Sequence, residues 1–350
     1  MRKAMIGMSG GVDSSVAAYL ALQQGISCIG ATMRLWDRED SRDARDARLV
    51  ADRLGIPHHI MDYRREFREN VVEPFICCYQ SGGTPNPCIR CNETMKFGLM
   101  LEAARALGCD CVISGHYARI RQDPESSRYL LCRAADDAKD QTYFLYGLTQ
   151  DQLAHTLFPL GELTKAQARA IAEENGLVTA RKRDSQDICF VPGGDYAAFM
   201  EQYTGKSFTP GRFLDPDGKV VGTHRGAPCY TLGQRKGLGL AMGEPVYVCG
   251  KNMKDNTVTV GPNSALFHNV LRADTWNWIS IPTLTSPLSV TAKIRHSLGA
   301  QPAVVFPEED GRARVVFEAP QRAITPGQSV VLYQGDTVVG GGIITEALDI

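Results

Sequence analysis

Apolar positions along the first half of the chain follow two alternating rhythms. Residues 4–8, 27–33, 58–62 and 110–114 are short runs with strand character. Between and after them, 16–24, 43–54, 95–107 and 164–175 carry apolar residues at three- and four-residue steps, the spacing of one helix face. The last two stop at Gly108 and Gly176, residues suited to a left-handed helix end. Short strands interleaved with helices predict an α/β domain, a Rossmann-like parallel sheet with helices on its faces. Past Gly205 the pattern changes to short β-rich runs at 228–231, 245–249, 257–260, 289–294, 314–317, 329–333 and 342–345. Asp217-Gly218 and Asp310-Gly311 are hairpin-type turns among them. With a soft break near 267–271, the chain divides into an α/β domain over 1–205 and two small β-rich modules, 206–268 and 269–350.

Composition narrows the class. Hydrophobic residues make up 43% and charged residues 22%, as in ordinary globular proteins. The formal net charge of −1 excludes an overall basic field, though not a local basic groove. Two stretches lack charge, 14–33 and 275–292, but glutamines and a glycine interrupt the first and prolines the second, so neither reads as a membrane span. The apolar run after Met1-Arg2-Lys3 ends at Ser9-Gly10-Gly11, too soon for a secretion signal. The expectation is a cytoplasmic enzyme with no membrane partner. Eleven cysteines, an odd number, then argue against a disulfide framework and for catalytic, metal-binding or redox use of a chosen few.

Ser9-Gly10-Gly11-Val12-Asp13-Ser14-Ser15 sits where the first strand hands over to the first helix. Unpaired N–H groups and partial positive charge at a helix N-terminus favour phosphate there. Gly10 and Gly11 allow positive φ and close backbone approach, and the serines add donors. Asp13 does not face phosphate cheaply; it suits a Mg²⁺ ligand or an N-cap. Gly205-Lys206-Ser207 and the Gly237/Gly239 pair imitate other nucleotide motifs, but Met200 and Met242 stand where those motifs need glycine.

This loop resembles that of the PP-loop ATP pyrophosphatases, which cleave ATP between its α and β phosphates and adenylate a carbonyl or carboxylate oxygen. The resemblance implies that Gly7, Met8, Ser9, Gly10, Gly11, Val12, Asp13, Ser14, Met33 and Gly115 border the nucleotide. Further segments narrow the resemblance: Asn86-Pro87-Cys88-Ile89-Arg90-Cys91, Asp184-Ser185-Gln186-Asp187-Ile188-Cys189, Gly115-His116-Tyr117, Lys139-Asp140-Gln141 and Gly340-Gly341-Gly342. Together they resemble the bacterial tRNA 2-thiouridylases along nearly the whole chain. That family thiolates the wobble uridine of tRNA with ATP, and its last domain is a β-barrel. A uracil C2 oxygen is a poor leaving group until adenylation converts it to AMP.

The family resemblance places a persulfide on Cys189 and makes Cys91 its partner thiol; Asp13 joins them as a catalytic residue. Helix N-terminal placement and neighbouring Arg90 favour the thiolate of Cys91. Either Cys91 attacks the persulfide to release sulfide, or the persulfide attacks C2 and Cys91 resolves the product. Cys88 stands where many members have Asp, so Cys88, Cys91 and Cys189 offer an alternative set of ligands for a [4Fe–4S] cluster. By the same resemblance Asn86, Pro87, Cys88 and His116 meet the target base, while Lys139, Asp140, Gln141, Arg295, His296 and Gln334 contact tRNA. Arg181-Lys182-Arg183 reads equally as a phosphate grip and as a solvated basic turn. The implied cofactors are ATP and Mg²⁺, and the implied partners are tRNA and a sulfur-donor protein. The rivals are a PP-loop synthetase or amidotransferase, which has no use for paired cysteines, and a nucleotide sensor without turnover.

Overall fold

The computed structural model describes residues 2–36, 42–182 and 188–348. A five-stranded parallel sheet organises the first domain, in the spatial order His58–Asp62, Ser27–Arg34, Lys3–Gly7, Cys111–Ile113 and Thr156–Leu157. Its central strands are buried on both faces, which is why they read as continuous apolar runs. One face packs Val16, Ala17 and Ala21 of helix Val12–Gln23 against Val50 of helix Arg42–Leu54 and Ala168 of helix Lys165–Glu174. The other packs Phe97, Met100 and Ala104 beneath Met5 and Val112.

Two helices differ from the sequence expectation. The first begins at Val12, directly after the glycine loop, rather than near 16. The helix expected from 95 begins at Pro87 and runs through Pro87–Arg90, a π-helical stretch Cys91–Leu99, and Met100–Ala106. Pro87 at the first helical position and Asn86 as N-cap, accepting from the Cys88 N–H at 3.2 Å, explain the earlier start. Apolar periodicity did not reach this turn because its positions are given to cysteine and arginine. A second long helical run, from Arg64–Phe67 through Glu73–Gln80, has no counterpart in the expected elements.

The central module is a four-stranded sheet ordered Tyr247–Asn252, Thr257–Gly261, Gly211–Leu214, Val220–His224. The run expected at 228–231 is instead a 3₁₀ turn, Ala227–Cys229, with Pro228 inside it. The last module is a closed six-stranded antiparallel barrel: Phe267–Trp278, Ala313–Arg322, Gln301–Pro307, Leu288–Lys293, Ser329–Gln334 and Thr337–Leu348, the last pairing back onto the first. A hairpin of the first domain, Arg119–Gln122 with Tyr129–Cys132, extends this sheet through Cys132 and Thr337. Tyr143 donates to the Ser329 carbonyl at 3.0 Å, and Asn277 to the carbonyls of Tyr146 and Leu148 at 2.6 and 2.9 Å. The barrel therefore docks on the α/β domain through satisfied buried polar groups. Among the described residues no helix is long and apolar enough to cross a membrane.

Candidate functional site

The glycine loop joins the central strand to its helix. Gly10 sits at φ +69°, and a Cβ there would come 2.1 Å from the Asp43 carbonyl oxygen. Gly115, after strand Cys111–Ile113, is equally confined: its Cβ would lie 2.6 Å from the Asp13 carbonyl carbon and 2.7 Å from the Ser14 nitrogen. Glycine at both positions lets neighbouring backbone close on the first helical turn. The hydroxyls of Ser14 and Ser15 both donate to the Gly11 carbonyl, at 3.1 and 2.9 Å. Ser9 N–H reaches the Ser14 hydroxyl at 3.3 Å. Met8 and Val12 are buried, so they border the loop as core residues. Met33, near the end of strand Ser27–Arg34, is half-buried between two apolar clusters.

Asp13 is not an N-cap; that position is Gly11. Its carboxylate accepts from Lys165 Nζ at 2.7 and 2.8 Å and from the Tyr117 hydroxyl at 2.9 Å. Mg²⁺ arriving with ATP needs only one or two protein carboxylates, so Asp13 fits that task if Lys165 yields it. Lys165 was not singled out in the sequence, where it is simply the residue after a Thr164 cap. Lys182 also turns inward, to the Gly10 carbonyl, Asp43 and Asp46, rather than serving as a surface grip for RNA. Its neighbour Arg183 and the motif residues 184–187 lie outside the described residues.

The cysteines lie at the other end. Cys88 is exposed and Cys91 buried on successive turns of one helix, and Cys189 is exposed. Burial pushes the Cys91 thiol up to about 12 against the pull of Lys96, and Cys189 and Cys88 are close enough to add to the rise. The sequence expectation of a thiolate favoured by Arg90 is therefore corrected: Arg90 pairs with Glu93 at 3.4 Å, and desolvation dominates. Lys96, missed in the sequence, faces the same region because the π-helical stretch brings residues five apart onto one side.

Phe190 explains how Cys189 is held. Its side chain is 2% exposed and meets Phe67, Phe75 and Phe199 at ring distances of 5.6, 5.2 and 5.3 Å. Cys91 belongs to that same cluster, with Ile188 packed against it. The aromatic anchor thus puts Cys189 outward, over the helix that carries Cys91. Cys88 and Cys189 both lie near enough to act on Cys91, and among the described residues no group of three or more His, Cys, Asp or Glu is placed to hold a single metal ion.

His116 receives or gives a hydrogen bond with the Ser114 hydroxyl at 2.7 Å and lies against Phe97 and Phe158. Burial, then the Lys96 charge, holds it well below its ordinary range, so it is neutral at pH 7. The loop before Asn86 and Pro87 is clamped by the barrel: Thr84 N–H donates to Pro326 and Gln328 to the Thr84 carbonyl, both at 2.8 Å. Asp140 is buried and accepts from Ala134, from the Thr142 N–H and from its hydroxyl, so it shapes its loop instead of facing a ligand. Gln141 accepts from the Tyr117 N–H, and Lys139 is half-buried beside them. Arg295 spends its guanidinium on Leu232, Ala323 and Thr325, His296 lies tilted against Phe144 at a ring distance of 4.4 Å, and exposed Gln334 donates to Ser289. Arg295 also lines a cleft of about 510 Å³ where the three modules meet, together with Asp195, Tyr196, Arg225 and Gln234.

Known proteins resemble this chain along nearly its whole length. Three family models match in succession: the tRNA methyl transferase HUP domain over residues 2–193, the tRNA methyl transferase PRC-barrel domain over 197–262, and the aminomethyltransferase beta-barrel domain over 268–344. The chain is 49% identical to the tRNA-specific 2-thiouridylase MnmA of Acetivibrio thermocellus, covering 98% of this chain and 99% of that protein. It is 48% identical to the protein of the same name from Clostridioides difficile, covering 99% of each. A 4-thiouridine synthetase–RNA complex with bound ATP aligns at 17% identity and TM-score 0.35, over 57% of this chain and 50% of that chain, which is too slight to bear on the site. The domain descriptions speak of methyl transfer, whereas the full-length relatives are named for thiolation. With identity near one half sustained from end to end, the chain belongs to the tRNA-specific 2-thiouridylase family, ATP-using PP-loop enzymes that transfer sulfur to uridine in tRNA.

Proposed function

We propose that the chain thiolates the wobble uridine of tRNA at C2 through an adenylated base and a persulfide on Cys189. The uracil C2 oxygen attacks the α-phosphorus of ATP, and pyrophosphate leaves toward the Ser9–Ser15 loop. The terminal persulfide sulfur then adds to C2 and AMP departs. This leaves the base joined to Cys189 through a disulfide. Cys91 attacks the Cys189 sulfur of that disulfide, freeing 2-thiouridine and forming a Cys91–Cys189 disulfide. A two-electron thiol reductant and a sulfur-donor protein return the enzyme to its persulfide state.

The observation that carries this order is the contrast in exposure. Cys189 is exposed, within reach of a sulfur donor, whereas Cys91 is buried with its pKa near 12. A thiol held so high is a poor first nucleophile at neutral pH and suits a late step, after tRNA has changed its surroundings. Asn86, Pro87, Cys88 and His116 border the extruded base, neutral His116 being fit to exchange a hydrogen bond with it. Lys139 and Arg225, at the mouth of the cleft where the three modules meet, are the places for tRNA phosphates. Asp13 would hold a Mg²⁺ arriving with ATP once Lys165 releases it, and a tRNA substrate used with ATP supports a cytoplasmic setting.

The test is a thiolation assay with ATP, Mg²⁺, persulfide donor and unmodified tRNA. Cys189→Ser is expected to form no 2-thiouridine while still releasing pyrophosphate. Cys91→Ser, without added reductant, is expected to accumulate one enzyme–tRNA adduct per turnover that dithiothreitol cleaves to 2-thiouridine. Absence of that adduct in Cys91→Ser, with free sulfide released by the wild-type chain, would reverse the order of the two cysteines. Full thiolation by Cys189→Ser would end the persulfide scheme.

A further inference from the structure

The phosphate loop has a support behind it as well as a helix in front. Lys182 Nζ donates to the Gly10 carbonyl at 2.8 Å, to Asp43 at 2.7 Å and to Asp46 at 2.7 Å. Three acceptors match the three donors of an ammonium. Burial pulls the Lys182 pKa down, but its hydrogen bonds to Asp43 and Asp46 outweigh this and leave the group raised, hence charged at working pH. Two carboxylates around one ammonium leave the cluster negative, so it is not itself an anion-binding patch. Its effect on a phosphate must come through geometry.

That geometry is fixed by the peptide plane. In a trans peptide the carbonyl and the following N–H point in opposite directions. Holding the Gly10 oxygen on Lys182 therefore turns the Gly11 N–H away from Asp43 and Asp46. The next carbonyl, that of Gly11, is held by Ser14 and Ser15. A Cβ at positive-φ Gly10 would run into the Asp43 backbone, so the position is kept to glycine and the loop lies close against that helix start.

We propose that Lys182 is a positioning residue for adenylation: by gripping the Gly10 carbonyl it keeps the Gly11 N–H aimed at the departing pyrophosphate, and Asp43 and Asp46 keep the ammonium in place. The inference rests on the loop gripping pyrophosphate as stated under Proposed function. A donor aimed before the reaction stabilises developing charge without reorganisation, and misaiming one such group by about 1 Å costs on the order of 100-fold.

The experiment measures AMP formation by the full chain at saturating unmodified tRNA while ATP is varied, with tRNA affinity and melting temperature recorded alongside. Lys182→Met is expected to lose kcat by about 10- to 100-fold with little change in KM for ATP or in tRNA affinity. Lys182→Arg, still able to donate to the Gly10 carbonyl, is expected to recover most of the loss. The double variant Asp43→Asn/Asp46→Asn, which loosens the ammonium without removing it, should fall between. Unchanged kcat in Lys182→Met overturns the proposal, as does a loss that merely follows melting temperature and is not recovered by Lys182→Arg. Should Lys182→Met fail to fold, the asparagine pair decides, and unchanged kcat there overturns it. A wild-type chain that forms no AMP with tRNA removes the underlying reading of the loop and with it this inference.

Discussion

The nucleotide end and the thiol end of the site are held by different physics. Around the glycine loop every support is polar and directional: Lys182 on Gly10, Lys165 on Asp13, hydroxyls on Gly11, and glycines where backbone meets backbone. Around Cys91 and Cys189 the support is an aromatic cluster, Phe67, Phe75, Phe190 and Phe199, with the reacting thiols at its edge. Polar clamps fix atoms to a few tenths of an ångström, which suits a phosphoryl transfer that depends on aim. Ring packing fixes a segment but tolerates sliding, which suits the proposed course, in which sulfur reaches a donor, then a base, then a second cysteine. The difference teaches that, on the proposed reaction, the ATP half is built before substrate arrives, whereas the sulfur half is completed by it.

The severest way to break the polar end is Gly115→Ala. Its new methyl would press on the Asp13 and Ser14 backbone, which has nowhere to go. AMP formation should fall by about 100-fold or more, while persulfide loading of Cys189 from a donor continues. Normal AMP formation in that variant would show that the loop is not as rigid as its contacts imply.

At the thiol end, Phe190→Ala removes the anchor of Cys189. A buried Phe→Ala change costs about 3–5 kcal/mol of stability, and the segment bearing the persulfide loses its seat. At a temperature where the variant stays folded, thiolation should drop at least about tenfold, with AMP formation changed much less. Equal losses in both steps would mean that the two ends are not separable.

The smallest effect is a pH profile of alkylation. With Cys91 raised toward 12, its reaction with iodoacetamide in the tRNA-free enzyme should climb about tenfold per pH unit without levelling below pH 10. Exposed Cys189 should react before buried Cys91, read by mass spectrometry. A plateau for Cys91 near neutral pH would show a thiolate already formed and move it to an early role.

Much of the site is legible in the linear order of residues because its parts are local. A strand, two glycines and a helix start are consecutive, so the loop and its chemistry follow from short-range rules. Strand His58–Asp62 and helix Lys165–Glu174 likewise follow from pattern and caps. The helical run from Arg64 does not, because its charged and apolar residues only make sense beside Phe190 and Phe199, more than a hundred positions away. Lys96, Lys165 and Lys182 were indistinguishable from surface lysines for the same reason: what sets a lysine's role is the carbonyl or carboxylate it meets.

The amino-acid sequence by itself determined the α/β class and a glycine-rich loop between a strand and a helix, since these are matters of residue type and near spacing; the pairing of distant Cys91 and Cys189 rested on resemblance to a family. Tertiary structure alone decided that Asp13 is already paired, that Asp140 and Lys182 face inward, and that Cys91 is a buried thiol while Cys189 is exposed. Burial and charge pairing depend on which distant segments pack together, and a side chain's chemistry changes with the water and charge that packing leaves around it.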